Sequence, residues 1–164
     1  MVTQVEKGIF WENPNAQIIF NPVSTSKSKA GRNLFNHRLR DEYGEVFEEY
    51  KDYMIGESQK RLLGDIQLVQ IGEDKFIMNA FIYHGTKLSL KAVAKTMVEM
   101  FNIATEYHLN VAMSETLGIR TQTNVDSIKL ITDVVFGDFE NTCYLYKLSP
   151  HVKHKAGRKK KNYK

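Results

Sequence analysis

The strongest constraint in this sequence is the length and order of its apolar runs. Ala16–Asn21 (AQIIFN) is apolar on successive residues and ends in Asn-Pro, so it is too short for a helix and has the composition of a strand buried on both faces. Asp65–Gln70 (DIQLVQ) and Lys75–Ile82 (KFIMNAFI) flank Ile71-Gly72-Glu73-Asp74, a turn signal between two β-prone runs that predicts a hairpin. Asn110–Met113 (NVAM) and Thr142–Leu148 (TCYLYKL) are two further strand-length runs.

Helical spacing fills the intervals. Arg32–Arg40 places Leu34, Phe35 and Leu39 on one face, and Glu45–Met54 does the same with Val46, Phe47, Tyr50 and Met54. Leu88–His108 carries Leu90, Val93, Ala94, Met97, Val98 and Phe101 at helical intervals, with Ser89 as its cap. Val125–Phe136 repeats the pattern through Ile128, Ile131 and Val135, with Asn124 as the candidate cap and Gly137 as the stop. The resulting order is β, β, α, α, β, β, α, β, α, β. Strands alternating with helices imply an α/β domain with a mostly parallel sheet covered on both faces.

The 164 residues suffice for one such domain. The single cysteine, Cys143, lies in an apolar run and predicts a buried, inert thiol rather than a disulfide or a thiolate metal site. The N-terminal stretch has no secretory pattern and no run approaches membrane-spanning length, so a cytoplasmic protein is expected. No cofactor is implied. Charge divides the chain. Seven basic residues and no acid occupy Lys153–Lys164, and removing them from the net +4 leaves about −3 for the body. Residues 1–149 therefore read as the domain and 150–164 as a disordered basic tail, which either grips a polyanion such as nucleic acid or serves solubility.

Open sheets of this class bind ligands beyond the carboxyl ends of their strands, which directs attention to the loops Pro22–Gly31, Tyr83–Lys87 and Ser114–Asn124. The first loop runs Ser24-Thr25-Ser26-Lys27-Ser28-Lys29-Ala30-Gly31-Arg32 just before a helix, small, hydroxyl-rich and basic. Such a segment can turn backbone N–H groups and a helix dipole toward a phosphate, or can simply be solvated. Asn21 and Asn33 bring amides to this loop that can hydrogen-bond a ligand, although Asn21 before Pro22 also fits turn chemistry. In the second glycine-bearing loop, Gly118 and Arg120 suit a phosphate. Tyr146, ending the last strand, offers an aromatic face or belongs to the core.

These loops resemble those of macrodomains, most nearly the branch that contains the terminal ADP-ribose glycohydrolase. Lys7-Gly8-Ile9-Phe10 is similar to that family's Lys-Gly-Asp-hydrophobic opening. Ala16–Val23 parallels the buried strand leading to the ligand loop, and Ala30-Gly31 before Leu34-Phe35 resembles the Gly-Ala-Gly loop. Gly64–Ile82 resembles the Gly-acid-hydrophobic hairpin, and the likeness continues through Met113 to Tyr146. The resemblance implies a three-layer α/β/α macrodomain that holds ADP-ribose or a related NAD-derived nucleotide, free or on an ADP-ribosylated protein. It places Asn21, Ser24, Ala30, Gly31 and Asn33 at ribose and phosphate, Gly118 and Arg120 opposite, and Tyr146 near the base.

Three departures argue for binding without efficient hydrolysis. Ile9 stands where the family has its adenine-recognising acid, and the two phosphate loops retain only Gly31 and Gly118. The resembling glycohydrolases use a lysine after the hairpin and an aspartate after the second loop. Here Lys87 and His84 are the candidates in the first position, while Gly118-Ile119-Arg120-Thr121-Gln122 holds no acid. Glu115 and Asp126 are the only carboxylates near it. The alternatives are an ADP-ribosyl hydrolase acting through Lys87 or His84, and a nucleic-acid binder acting through Lys153–Lys164.

Overall fold

The computed structural model describes residues 1–26, 37–55, 62–119 and 121–147. Within them, strands β1 (Val2–Val5), β2 (Ile18–Ser24), β3 (Ile66–Gly72), β4 (Lys75–His84), β5 (Lys87–Leu88), β6 (Val111–Ser114) and β7 (Cys143–Tyr146) form one mixed sheet. The order is β1-β7-β6-β2-β4-β3, with β5 also paired to β4. Every pair from β1 across to β4 is parallel, and β3 and β5 run antiparallel to β4.

Alternation along the central strands dictates three layers. Ile18, Phe20, Met78, Ala80, Ile82, Val111 and Met113 enter one apolar cluster, while Ile19, Val23, Ile77, Phe81 and Ala112 enter another. A strand with side chains buried on successive residues must be covered on both sides. Helices α3 (Leu90–Tyr107) and α4 (Gln122–Phe136) cover the first face. The 3-10 turn Phe10–Glu12 and helix α2 (Gly44–Tyr53) cover the second, with α1 (His37–Glu42) contributing Leu39. The α/β/α architecture expected from the alternation is present.

Several local expectations are corrected. Strand β2 does not stop at Asn21 but continues through Pro22 to Ser24. Its pairing with β6 ends at Ile19, so Pro22 lies where β2 has a neighbour on one side only, and proline is tolerated in such a position. Helix α3 begins at Leu90 after the expected cap, and the Ser89 hydroxyl accepts the Ala92 N–H. Its buried face, however, is Ala92, Val93, Thr96, Met97, Met100 and Ala104, and Val98 is exposed. Thr96 can be buried because its hydroxyl donates back to Ala92 and Val93 carbonyls, a local bond that a hydropathy pattern does not register.

Helix α4 starts three residues before Val125, with Thr121 rather than Asn124 at the N-cap. Thr121 makes no side-chain cap bond, and the first turn is instead braced by Gln122 Nε2 donating to Asp126. Residues Lys87 and Leu88, read as loop and helix start, form β5. The expected helix over Arg32–Arg40 lies partly outside the described residues, as does Leu148 at the end of the last strand and the tail from 150 onward. Among the described residues, no helix is long and apolar enough to cross a membrane and no cluster of His, Cys, Asp and Glu could hold a metal.

Cys143 is fully buried, and burial pushes its thiol up to about 12, with the N-terminal ammonium acting in the opposite direction. Because the folded value lies above the unfolded one, this group's contribution is complete below pH of about 8.5 and is lost as pH rises toward 12. Native protein is expected to resist a thiol reagent that labels the denatured chain fully, and Cys143→Ala should flatten the alkaline fall in Tm. Replacing the cap in Ser89→Ala should cost about 1 kcal/mol in urea unfolding.

Candidate functional site

Connectivity makes a crevice at one place in the sheet. From β2 the chain moves to β4 on one side, then crosses back through α3 to β6 on the other. Strand β6 bonds to β2 only at Ile18 and Ile19, yet β2 runs on to Ser24 against β4. The ends of β2 and β6 are thus left unpaired with each other at the point where strand order reverses, which is where open α/β sheets receive ligands.

The β2 side of the crevice is tied down by a run of polar contacts that is buried at Asn21 and reaches the surface at Gln67. Asn21 Nδ2 donates to Asn79 Oδ1 (2.9 Å), Asn79 Nδ2 donates to Gln67 Oε1 (3.1 Å), and Gln67 Nε2 donates to the Glu49 carbonyl on α2 (3.0 Å). This amide ladder follows the strand register across β2, β4 and β3. Asn21, expected to hold ribose, therefore has its amide N–H engaged inside the fold.

Ser24 is similarly engaged. Its hydroxyl donates to the Gly85 carbonyl (2.9 Å) and accepts the Ser26 N–H (3.1 Å). Its own carbonyl accepts the Tyr50 hydroxyl at 2.5 Å. Burial raises the Tyr50 pKa far above the ordinary tyrosine value, and the bond to Ser24 works against that rise. The Thr25 N–H donates to the Tyr83 carbonyl (2.9 Å), while the buried Thr25 hydroxyl has no partner among the described residues.

The opposite wall is a tight turn after β6. Leu117 (φ 52°) and Gly118 (φ 77°) are both left-handed, and the Ile119 N–H bonds the Thr116 carbonyl at 2.9 Å, the pattern of a type I′ turn. A leucine in this region costs about 1–2 kcal/mol, and burial of its side chain in the core compensates. Gly118 has open space around its α-carbon, so the turn presents backbone without a side chain.

Tyr146 ends β7 with 7% of its surface exposed, its ring 6.5 Å from that of Phe10. Gly8 (φ 116°) lies beside it, and an added Cβ would sit in van der Waals contact, 3.4 Å from the ring. His84 and Lys87 face each other across the exposed end of the β4–β5 hairpin. Asp126 lies on the exposed face of α4, bonded to Gln122. Ala30, Gly31, Asn33 and Arg120 are outside the described residues. A shallow hollow of about 280 Å³ is lined by Glu115 after β6 together with Lys129, Asp133 and Lys147, and another of about 300 Å³ by Gly64, Ser89 and Lys95; neither is lined by Asn21, Ser24, Gly118 or Tyr146.

Asn79, Gln67 and Leu117 escaped the sequence reading, which took Tyr50 only as part of a helix face and Thr25 only as part of a hydroxyl-rich loop. Only Asn79 offered a signal, as an amide in the middle of an apolar strand that must find a buried partner. Its replacement by leucine should leave Asn21 and Gln67 unmatched, and Asn79→Leu is expected to cost about 2 kcal/mol or more in urea unfolding.

No protein-family model matches this sequence, and no curated protein matches it by sequence. The three-dimensional structure does find counterparts. The macrodomain of Thermus aquaticus DarG superposes with a TM-score of 0.71 at 13% identity, over 91% of this chain and 99% of that one. The macrodomain of Mycobacterium tuberculosis DarG gives 0.69 at 16% identity, over 91% and 99%. Thermosipho africanus DarTG, solved in complex with ADP-ribose, gives 0.66 at 15% identity, over 93% of this chain and 44% of that longer one. Sheet order, layering and these superpositions agree: the chain has the macrodomain fold.

Proposed function

We propose that this chain binds ADP-ribose or a related NAD-derived nucleotide in the crevice between the end of β2 and the turn after β6. The observation that carries the reading is the crevice itself: a topological switch point walled by a rigid strand end and by a turn whose Gly118 exposes backbone. Support comes from the DarTG complex, in which a protein containing the same fold was solved with ADP-ribose.

In this reading Ala30, Gly31 and Asn33 line the ribose and phosphate side, Gly118 with Arg120 lines the other, and Ser24, engaged within the fold, braces the strand end. Asn21 acts from beneath, holding the strand end through Asn79. Tyr146 and Gly8 form the wall toward the base. Binding rather than turnover is the expected activity, because general-base chemistry needs a carboxylate or imidazole at the ribose. His84 and Lys87 sit at an exposed hairpin tip, and the second loop carries no acid between Gly118 and Gln122. A nucleotide held without being consumed suits a module that sequesters a signal or reads an ADP-ribosylated partner.

Calorimetric titration with ADP-ribose, NAD, AMP and cyclic ADP-ribose tests the reading. Saturable binding of ADP-ribose at micromolar concentration or below is expected. Gly118→Val puts a branched side chain at φ 77°, which L-residues adopt at a cost of about 1–2 kcal/mol, and fills the open face of the turn. It should weaken ADP-ribose binding by about tenfold or more while the protein remains folded by circular dichroism. No binding to any of the four nucleotides would overturn the proposal.

A further inference from the structure

The sheet ends on one side at β3, and no strand among the described residues pairs with its outer edge. On β4, the Phe76 N–H bonds the Gln17 carbonyl on the β2 side, while the Phe81 N–H and carbonyl bond Asp65 and Gly64 on the β3 side. Backbone groups alternate along a strand, so Ile77, Asn79 and Phe81 face β3. Val69 and Gln67, the register partners of Ile77 and Asn79, therefore turn their N–H and carbonyl groups toward β4. Ile66, Leu68 and Gln70 turn theirs outward, and none of these has another backbone partner among the described residues.

An open edge is normally guarded by charge, by proline or by shortness. The opposite edge, β1, has four residues and is followed by Glu6 and Lys7. Strand β3 has seven, IQLVQIG, with no charge and no proline. Leu68, at its centre, is 41% exposed. This edge carries none of the usual guards.

We infer that β3 is a self-association edge, at which two copies of this chain pair β3 to β3, antiparallel, about a two-fold axis at Leu68. In that register Leu68 faces its own counterpart, and Ile66 faces Gln70 of the second copy. Each outward residue then exchanges both of its backbone bonds. Residues directly opposite share a face, so the two exposed Leu68 side chains meet. Shifting the register draws in groups already used, since the Gly64 N–H bonds the Phe81 carbonyl and the Gly72 carbonyl accepts Gln70 Nε2.

Charge favours the same register. It sets Gly72 of one copy against Gly64 of the other, which carries the acidic hairpin tip, Glu73 and Asp74, toward the hollow lined by Gly64, Ser89, Lys91 and Lys95. Lys95 lies over Gly64, where an added Cβ would be 3.1 Å from its Cδ. Its side chain stays 54% exposed although its ammonium lies 3.7 Å from Asp65. The two-fold axis makes this contact at both ends, as a self-complementary interface requires. Acid meeting base at both ends fits a second copy of this chain rather than an unrelated extended segment. The inference is independent of the nucleotide reading, because β3 lies outside the crevice between β2 and β6.

Sedimentation velocity of the full chain tests it over about 1–200 μM, a range that spans micromolar dissociation constants. Wild type is expected to shift from monomer to dimer as concentration rises. Leu68→Lys sets like charges opposite each other at the axis and should weaken dimerisation by about tenfold or more. Glu73→Lys should weaken it by about fivefold at low salt, and adding Lys95→Glu should restore wild-type affinity within about twofold. Circular dichroism checks the fold of each variant, and Glu73→Lys, on an exposed turn, serves as the test should Leu68→Lys fail to fold. A wild type that stays monomeric throughout leaves the edge to an extended segment of another protein and overturns the proposal. A dimer that folded Leu68→Lys and Glu73→Lys both leave intact overturns it as well. Loss in Glu73→Lys without recovery in the double variant overturns the register centred on Leu68.

Discussion

Everything in this structure depends on the pairing of β2 with β4. These two strands exchange hydrogen bonds over nearly the whole length of β2 and are buried on both faces. An apolar strand pair with two hidden faces cannot be stable until something covers each of them. Helices α3 and α4 cover one face, while α2 and the Phe10–Glu12 turn cover the other. The third layer is therefore a requirement of the central pair rather than an addition to it. The same burial makes Asn79 expensive unless it is matched, and the ladder from Asn21 through Asn79 and Gln67 to the α2 backbone matches it. Polar matching of this kind also specifies register, because a slip of one residue would bury the amides against apolar side chains.

The crevice follows from the same arrangement. Beyond Ile19, β2 continues along β4, while β6, paired to β7 from Val111 to Ser114, no longer bonds to it. The gap left at the carboxyl ends has a rigid side and a sterically open side. On the rigid side, Tyr50 from α2 and Gly85 from the hairpin converge on Ser24, so the strand end is braced by both neighbouring elements. On the open side, Leu117 is anchored in the core and holds the left-handed turn in place, leaving Gly118 outward. Core packing thus shapes both walls, and the site's geometry is set by residues that would not touch a ligand.

Much of this was legible in the sequence. The lengths of the apolar runs, the hairpin signal at Gly72, the Ser89 cap and the alternation of strands with helices led directly to the architecture, because period and turn chemistry are local properties. The position of the crevice was legible as well, since the ends of parallel strands lie on one side of an α/β sheet whatever the detailed contacts. What escaped was the use made of individual polar residues. Asn21 and Ser24 looked free for a ligand because a sequence lists donors and acceptors without their partners. Both are bonded to residues about sixty positions away. On α3, Val93 and Met97 lie on the expected face, and Thr96 joins them because its hydroxyl bonds back to its own helix, while Val98 is exposed.

The sequence by itself determined that the chain must form a two-sided sheet with helical cover, since its short apolar strands admit no other way to leave water. It also determined where the chain turns, because glycine, proline and capping residues act through their immediate neighbours. Only the tertiary structure decided which polar groups are spent on the fold and which remain available. That division depends on strand register and on contacts between distant segments. Thr25 shows the difference most plainly: in the sequence it is one of three similar hydroxyl residues in a row, and in the folded chain its buried hydroxyl has no partner among the described residues.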